Sequence, residues 1–598
     1  MNTILMHDRK KNIILTLLCV VGYIVLLLFL QAIVPGDPGW LAEKKMTLCG
    51  AGLFAVSVLL HNFSKRYIAY FVTFILLYVS VVVLETYVGM TVNGIEIKRT
   101  ACIATMIFAA LAGIADFAIF VPNKISRIAL RLVFSILLFL SIVYPLVFWG
   151  YYAVSGQFIS ADTVLAVCQT NISEALSYLR MQHPIFPIMI LCGLFAIGYI
   201  SCKNVIPPPD ESVRKICIGY LACFSFSVVS FFGFPVIMDC QVGALITETK
   251  KELDNYKIYA QKSKERETKL AGMDVRLAQK EPGIYLLIIG ESETRDHMSV
   301  YGYPHKTTPW LEAETEKPGT LLFQNAYSNH THTSPALTYA LTEKNQYNKM
   351  KMVDAFSIIE MAKAAGYKTY WISNQQRWGV YETPVTRIII SADKQVWCNN
   401  KSGIGYKSFY YDGNIAQYTP DLTNVSHALV VVHLMGCHGA YVDRYPPEYA
   451  MKTSDDEQVR TYDGAVHYND EALRQLTEMV SHYPQFKGWI YFSDHGEDPE
   501  NHFSHDSSNF TWQMARIPLI MHFSDSFVAE NPEIYETLSA HRESYWTNDL
   551  LYNLMLSVLG IENAPHREEH LDLASPSYDR AKENLMTLHG KKHISEAP

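Results

Sequence analysis

The chain changes its hydrophobic rhythm near residue 239. Before that point apolar residues come in long blocks, and after it the runs shorten to strand and helix length while charged residues return. Seven blocks, at 13–34, 46–60, 67–84, 101–121, 132–153, 184–201 and 216–238, are long enough or nearly so to cross a hydrocarbon core of about 30 Å, which takes roughly 20 apolar residues. The second is the shortest. The first is too long for a secretory signal and lacks a small-residue cleavage site. Arg9, Lys10, Lys11, Lys65, Arg66, Lys124, Arg127, Arg131, Lys203, Arg214 and Lys215 fall in loops on one side. The opposite loops carry Lys44, Lys45, Lys98, Arg99 and Arg180. That excess puts the N-terminus in the cytoplasm, and an odd number of spans exports everything after Met238.

The loop at 154–183 contains a stretch, 161–176, that suits a helix on the exported membrane face, with Thr170 and Glu174 one turn apart on the same side. Residues 247–269 are rich in Lys and Glu and read as a solvated bridge. Beyond Pro282 the pattern predicts strands at 284–289, 369–372, 428–434, 489–492 and 517–523, with helices at 357–365, 469–482 and 547–559. Such alternation predicts an α/β domain with a largely parallel sheet covered by helices on both faces. The expected plan is a transmembrane domain over 1–242, a linker over 243–281 and a catalytic domain over 282–598.

Composition agrees with a membrane protein. At 598 residues the chain is too long for one ordinary domain, and 49% hydrophobic residues with a mean hydropathy of +0.06 is high for a soluble protein. A net charge of -8 and the lack of a basic stripe with interleaved aromatics argue against a nucleic-acid partner. Of 11 cysteines only Cys240, Cys398 and Cys437 follow the last block, so the exported part is no disulfide-stapled domain.

Two predicted strands end in metal-capable groups. The run from Ile284 to Gly290 delivers Glu291, and the run from Gly488 to Phe492 leads through Ser493 to Asp494 and His495. In open α/β sheets that strand edge is where ligands bind. Two carboxylates and an imidazole suit Zn²⁺ better than Ca²⁺ or Mg²⁺, and three protein ligands leave a position for an oxygen whose pKa the metal would lower. The stretch 329–338 is rich in hydroxyls and leads into a helix, where free N–H groups receive phosphate oxygens; Thr331, Thr333 and Ser334 are all candidate nucleophiles. His438, beside glycines beyond a strand, and either His502 or His505 are candidates to move a proton or hold a phosphate oxygen.

Gly290-Glu291-Ser292, Tyr301-Gly302-Tyr303 with Thr307-Thr308-Pro309, Met435-Gly436-Cys437-His438-Gly439 and Ser493-Asp494-His495-Gly496-Glu497, in that order, resemble the membrane phosphoethanolamine transferases of the alkaline phosphatase and sulfatase superfamily. The resemblance covers nearly the whole exported domain. It implies Glu291, Asp494 and His495 as zinc ligands, Thr333 as the nucleophile that also touches zinc, and His438 and His505 as histidines near the phosphate. Gln169-Thr170-Asn171 with Glu174 resembles the family's membrane-face motif, which implies donor-lipid contacts by Thr170 and Glu174. In the lipid A branch an Asn stands four residues before that Thr; here it is Ala166. The lipid A branch also has five spans and several catalytic-domain disulfides. Trp371-Ile372-Ser373-Asn374-Gln375-Gln376 looks closer to the lipopolysaccharide-core branch and implies Asn374 and Gln375 as substrate contacts.

The reaction this implies is a two-step phosphoryl transfer in the inner membrane of a Gram-negative bacterium, with the catalytic domain in the periplasm. Thr333 attacks phosphatidylethanolamine, diacylglycerol leaves with a proton from a histidine, and a hydroxyl of lipopolysaccharide or another envelope glycan resolves the phosphothreonine. Three rivals predict different outcomes. A lipoteichoic-acid-synthase-like enzyme would carry glycerol phosphate, a sulfatase would need a Cys or Ser maturation motif that is missing here, and a membrane sensor with a degenerate domain would form no adduct.

Overall fold

A computed structural model describes residues 2–32, 44–88, 95–156, a few positions between 158 and 167, 185–202, 219, 241–278, 281–375, 384–398, 410–502 and 504–598. The chain divides into two compact units, Met1–Ala161 with His183–Lys250 and Asp162–Gln182 with Lys251–Pro598.

The first unit is helical: α1 (Asn2–Gln31), α2 (Lys44–Leu60), α3 (Lys65–Tyr87), α4 (Ile95–Phe120), α5 (Lys124–Ser155) and α6 (Ile185–Cys202). Lys11–Gln31, Lys65–Tyr87, Glu96–Ile119 and Lys124–Ala153 are each long and apolar enough to cross a membrane, and Met46–Leu60 is a shorter apolar helix. These fall on the first five predicted blocks and α6 on the sixth, while the seventh, apart from residue 219, lies outside the described residues. Local chemistry sets the helix ends. The Ser64 hydroxyl accepts from Tyr67 N to start α3, Asn123 accepts from Ile125 N and Ser126 N to start α5, and Gly156, at φ 69°, closes α5. Rings fill the bundle centre, with Phe71 stacked on Phe108 at 4.3 Å and Tyr67 stacked on His61 at 3.7 Å.

The second unit begins on a helix rather than a free tether. Within α7 (Gln241–Gln261) and α8 (Ser263–Ala271), Tyr259, Arg266 and Leu270 are buried. Arg266 donates to Glu360 Oε1 (3.1 Å) and to the Tyr259 carbonyl (2.8 Å). The part of the bridge from Lys251 onward, read as solvated, therefore packs within the second unit through Tyr259, Arg266 and Leu270.

Seven strands form the central sheet: β1 (Gly283–Gly290), β2 (Thr320–Leu322), β3 (Lys368–Ser373), β4 (Lys394–Trp397), β5 (His427–His433), β6 (Phe486–Ser493) and β7 (Leu519–Phe523), in the order β2-β7-β6-β1-β5-β3-β4. Five run parallel from β6 to β4, and β7 runs antiparallel to both its neighbours. β1 is buried along its whole length, which is why it reads as an unbroken apolar run. Its alternate side chains serve two cores. Tyr285, Leu287 and Ile289 pack with α9 (Thr333–Ala340), α10 (Ile358–Ala364) and α12 (Leu551–Val558), while Ile284, Leu286 and Ile288 pack with α11 (Glu457–Ser481). α11 starts twelve residues before the predicted helix because Asp456 caps it through Gln458 N and Val459 N. β2 and β4 were not predicted from the pattern. Both are edge strands of three and four residues, too short to show a period.

Candidate active site

Sheet register builds the floor of the site. Gly290 pairs with Ser493 in adjacent parallel strands, so the next residues, Glu291 and Asp494, leave the sheet side by side. Glu291, Asp494 and His495 are buried, and one ligand atom from each lies within 4.8 Å of the others. His495 Nδ1 faces the Gly496 carbonyl at 3.0 Å, so Nδ1 carries the hydrogen and the lone pair is on Nε2. That lone pair faces Glu291 Oε1 at 3.2 Å and Asp494 Oδ2 at 3.5 Å, and Asp494 Oδ2 has no hydrogen-bond partner. Three buried acceptors facing one another fit a cation, and the mixed O/N set fits zinc.

The electrostatics reflect the same crowding. Burial opposes ionisation of Glu291, but the His495 imidazole beside it holds its carboxyl well below the usual range. Burial, then the Glu291 charge, pushes Asp494 well above it. Burial disfavours the His495 imidazolium, yet Asp494 and Glu291 together raise it to about 10.

Thr333 opens α9, and its Oγ1 donates to Glu291 Oε2 at 3.0 Å and lies 3.4 Å from His495 Nε2. Thr331 and Ser334 are buried, and neither hydroxyl makes a hydrogen bond. Of the three candidates it is Thr333 that meets Glu291 and His495. The loop before it is tied to the floor by Asn548, which accepts from Asn329 N (2.8 Å) and donates to the Asp494 carbonyl (2.8 Å).

A sulfatase family model matches residues 284–561. Phosphoethanolamine transferase EptC of Escherichia coli (strain K12) is 28% identical over 420 residues, covering 64% of this chain and 72% of EptC. Phosphoethanolamine transferase CptA of Salmonella typhimurium is 24% identical over 427 residues, covering 64% and 72%. Among solved structures, the C-terminal periplasmic domain of Escherichia coli EptC in complex with Zn superposes with a TM-score of 0.50 at 27% identity, over 55% of this chain and 96% of that one. The second unit carries a sulfatase domain, and the curated relatives it resembles are phosphoethanolamine transferases. The likeness in fold extends beyond that unit. The integral membrane lipooligosaccharide phosphoethanolamine transferase A from Neisseria meningitidis shares the fold with a TM-score of 0.55 at 16% identity, over 90% of this chain and 98% of that one.

The rim of the site is held by side chains. His505 and His495 have ring centroids 4.7 Å apart, and His505 and His438 5.8 Å. His505 Nδ1 is 2.8 Å from Glu497 Oε1, and the other oxygen of that buried carboxylate accepts from Tyr441 at 3.0 Å. Because the carboxylate takes the Nδ1 hydrogen, His505 keeps Nε2 for the site. His502 instead meets Asp456 at 2.9 Å with its side chain half exposed, which separates the two histidines. Burial lowers His438 to about 4.

Buried Asp412 anchors the loop that carries His438. Its Oδ1 accepts from Met435 N (3.0 Å) and Asn374 Nδ2 (2.7 Å), and its Oδ2 from Gly436 N (2.8 Å). Asn374 is buried and also donates to the Tyr410 carbonyl, while Gln375 donates to the Leu434 carbonyl at 2.7 Å. Both residues expected at the substrate thus brace the His438 loop. Gly436 sits at φ 50°, and a Cβ there would lie 2.5 Å from the Glu291 carbonyl oxygen, so rim and floor touch through bare backbone. Thr170 and Glu174 lie outside the described residues. Glu497 follows the Asp-His pair closely enough to have been suspected from spacing. Asp412 and Asn548 open short 3-10 helices and Asn329 lies in the loop before Thr333, and nothing in the local pattern marks them as supports.

Proposed function

We propose that this protein transfers phosphoethanolamine from phosphatidylethanolamine to a cell-envelope glycan, lipopolysaccharide core or lipid A, through a phosphothreonine at Thr333. The single observation that carries this reading is the placement of the Thr333 hydroxyl on Glu291, 3.0 Å away, beside His495 at the head of a helix. Glu291, Asp494, His495 and Thr333 would hold a zinc ion, which would offset the two carboxylate charges and lower the pKa of the hydroxyl.

The chain's own groups account for the rest. The Thr333 proton points at Glu291 Oε2, leaving an oxygen lone pair for phosphorus. As the Thr333 Oγ–P bond forms, the hydroxyl proton passes to Glu291 Oε2, the bond from phosphorus to the diacylglycerol oxygen breaks and that oxygen takes a proton; Glu291 returns its proton to Thr333 Oγ when Thr333 is displaced in the second step. His505, oriented by Glu497, supplies the leaving oxygen's proton from Nε2 and recovers one when the glycan hydroxyl displaces Thr333. His438 holds a phosphate oxygen, with Asn374 and Gln375 fixing its loop from behind. Thr170 and Glu174 contact the donor lipid. The four helices able to cross a membrane among the described residues fit an inner-membrane enzyme whose donor shares its bilayer, with the catalytic unit in the periplasm.

The test is mass analysis of the Thr333 peptide after incubation of the protein with phosphatidylethanolamine vesicles. A phosphoethanolamine adduct on Thr333, lost in Thr333→Ala, supports the reading. A glycerol phosphate adduct would move the protein to the phosphoglycerol transferases, and no adduct with zinc-loaded protein would overturn covalent transfer.

A further inference from the structure

The sulfatase match stops at residue 561, but the chain beyond it returns to the nucleophile loop. β8 (Met586–Thr587) and β9 (Lys592–His593) form an antiparallel hairpin. Its turn places Leu588, His589 and Gly590 in succession at φ 52°, 52° and 84°. Two non-glycine residues in the left-handed region are unfavourable locally and persist where surrounding contacts hold them.

Those contacts converge on Ser328 and Asn329, in the loop that leads to Thr333. Thr587 Oγ1 donates to the Ser328 carbonyl at 2.7 Å, and His589 N donates to the Asn329 carbonyl at 3.1 Å. Asn329 Nδ2 is already committed to the Ala336 carbonyl and Asn548 Oδ1, so its Oδ1 faces His589 Nε2, 3.0 Å away, and accepts that hydrogen. The His589 ring stacks on Tyr339 of α9 at 3.9 Å and lies 4.9 Å from His330. From its other side Gln346 holds the hairpin, donating to the Met586 carbonyl and accepting from Gly590 N.

We propose that this C-terminal hairpin is a positioning element of the transfer reaction, His589 acting through Asn329 to keep the Ser328–His332 loop, and so Thr333, aligned with Glu291. The inference rests on the role of Thr333 proposed above. A loop held at both backbone and side chain keeps the nucleophile within bonding distance, and loss of about 1 Å in such alignment costs on the order of a hundredfold in rate.

The test uses the full chain in proteoliposomes with His589→Ala and His589→Gln, since the Gln amide can still donate to Asn329. His589→Ala is expected to lower kcat by about tenfold to a hundredfold, leave KM for the donor within about twofold, and speed amide exchange in the peptide 328–333. His589→Gln is expected to restore most of the rate and protection. Unchanged kcat and unchanged exchange in His589→Ala would overturn the proposal. So would a loss that follows zinc content and melting temperature, or that Gln fails to rescue. If the wild-type chain transfers no headgroup, the functional reading fails while the exchange comparison still decides whether the hairpin clamps the loop.

Discussion

The floor and the rim of this site are held by different forces. Glu291, Asp494 and His495 follow directly from two paired strands, and their alignment is fixed by the register that pairs Gly290 with Ser493. His438 and His505 stand on loops, and each depends on a buried carboxylate, Asp412 beneath one and Glu497 beside the other. A register error would turn every side chain of a strand to the wrong face, so the floor is as firm as the sheet core. The rim is only as firm as a few hydrogen bonds to ionised groups, each contributing roughly 1.5–3 kcal/mol. The fold thus holds Glu291, Asp494 and His495 most rigidly and leaves His438 and His505 on adjustable supports.

Damage to the floor should therefore abolish chemistry outright. Asp494→Asn removes a ligand charge without changing size, and transfer should fall by at least about a thousandfold. Zinc content should fall with it. Added zinc should raise the melting temperature of the metal-stripped wild-type chain but not of the variant, because only a ligand that binds the folded state stabilises it. A variant that stays zinc-loaded and active would remove Asp494 from the floor. At the rim, Glu497→Gln leaves His505 without its charged partner and should cost about 10–100-fold in kcat with zinc content unchanged. Zinc loss in step with activity would show that the two regions are one unit.

The same contrast explains what was legible in the sequence. β1 and β6 are buried along their whole length, so their apolar runs announced both strands and the chemistry at their ends. The alternation of strands and helices gave the parallel α/β class, and the four strand-end and loop motifs gave the resemblance to phosphoethanolamine transferases. Thr333 could not be separated from Thr331 and Ser334 by composition, since what distinguishes it is a 3.0 Å approach to a residue 42 positions away in sequence. Asn374 was expected at the substrate from a motif resemblance, and what composition could not show is that its Nδ2 donates to Asp412 and the Tyr410 carbonyl. The supports of the rim come from residues far apart in sequence whose only common feature is a buried carboxylate, and no periodicity encodes such a pairing.

The rim also contains a pH-dependent fastening. Buried His297 lies between Asp463 of α11, 2.7 Å from Nδ1, and Glu500, 2.8 Å from Nε2, on the segment leading to His505. Tyr303 and Thr453 donate to the second oxygen of Asp463. Burial disfavours the imidazolium, but hydrogen bonds to Asp463 and Glu500 outweigh it and raise His297 from 6.5 to about 9. A folded-state pKa above the unfolded one means that the bonus is complete below about pH 6.5 and is lost as pH rises through about 9. After screening of the partly exposed Glu500, the bonus should be roughly 1–2 kcal/mol. Wild-type chain and His297→Gln, melted in detergent, should therefore differ most near pH 6 and converge above pH 9. An equal difference at both pH values would mean that His297 holds the rim by shape alone, with no contribution from its charge.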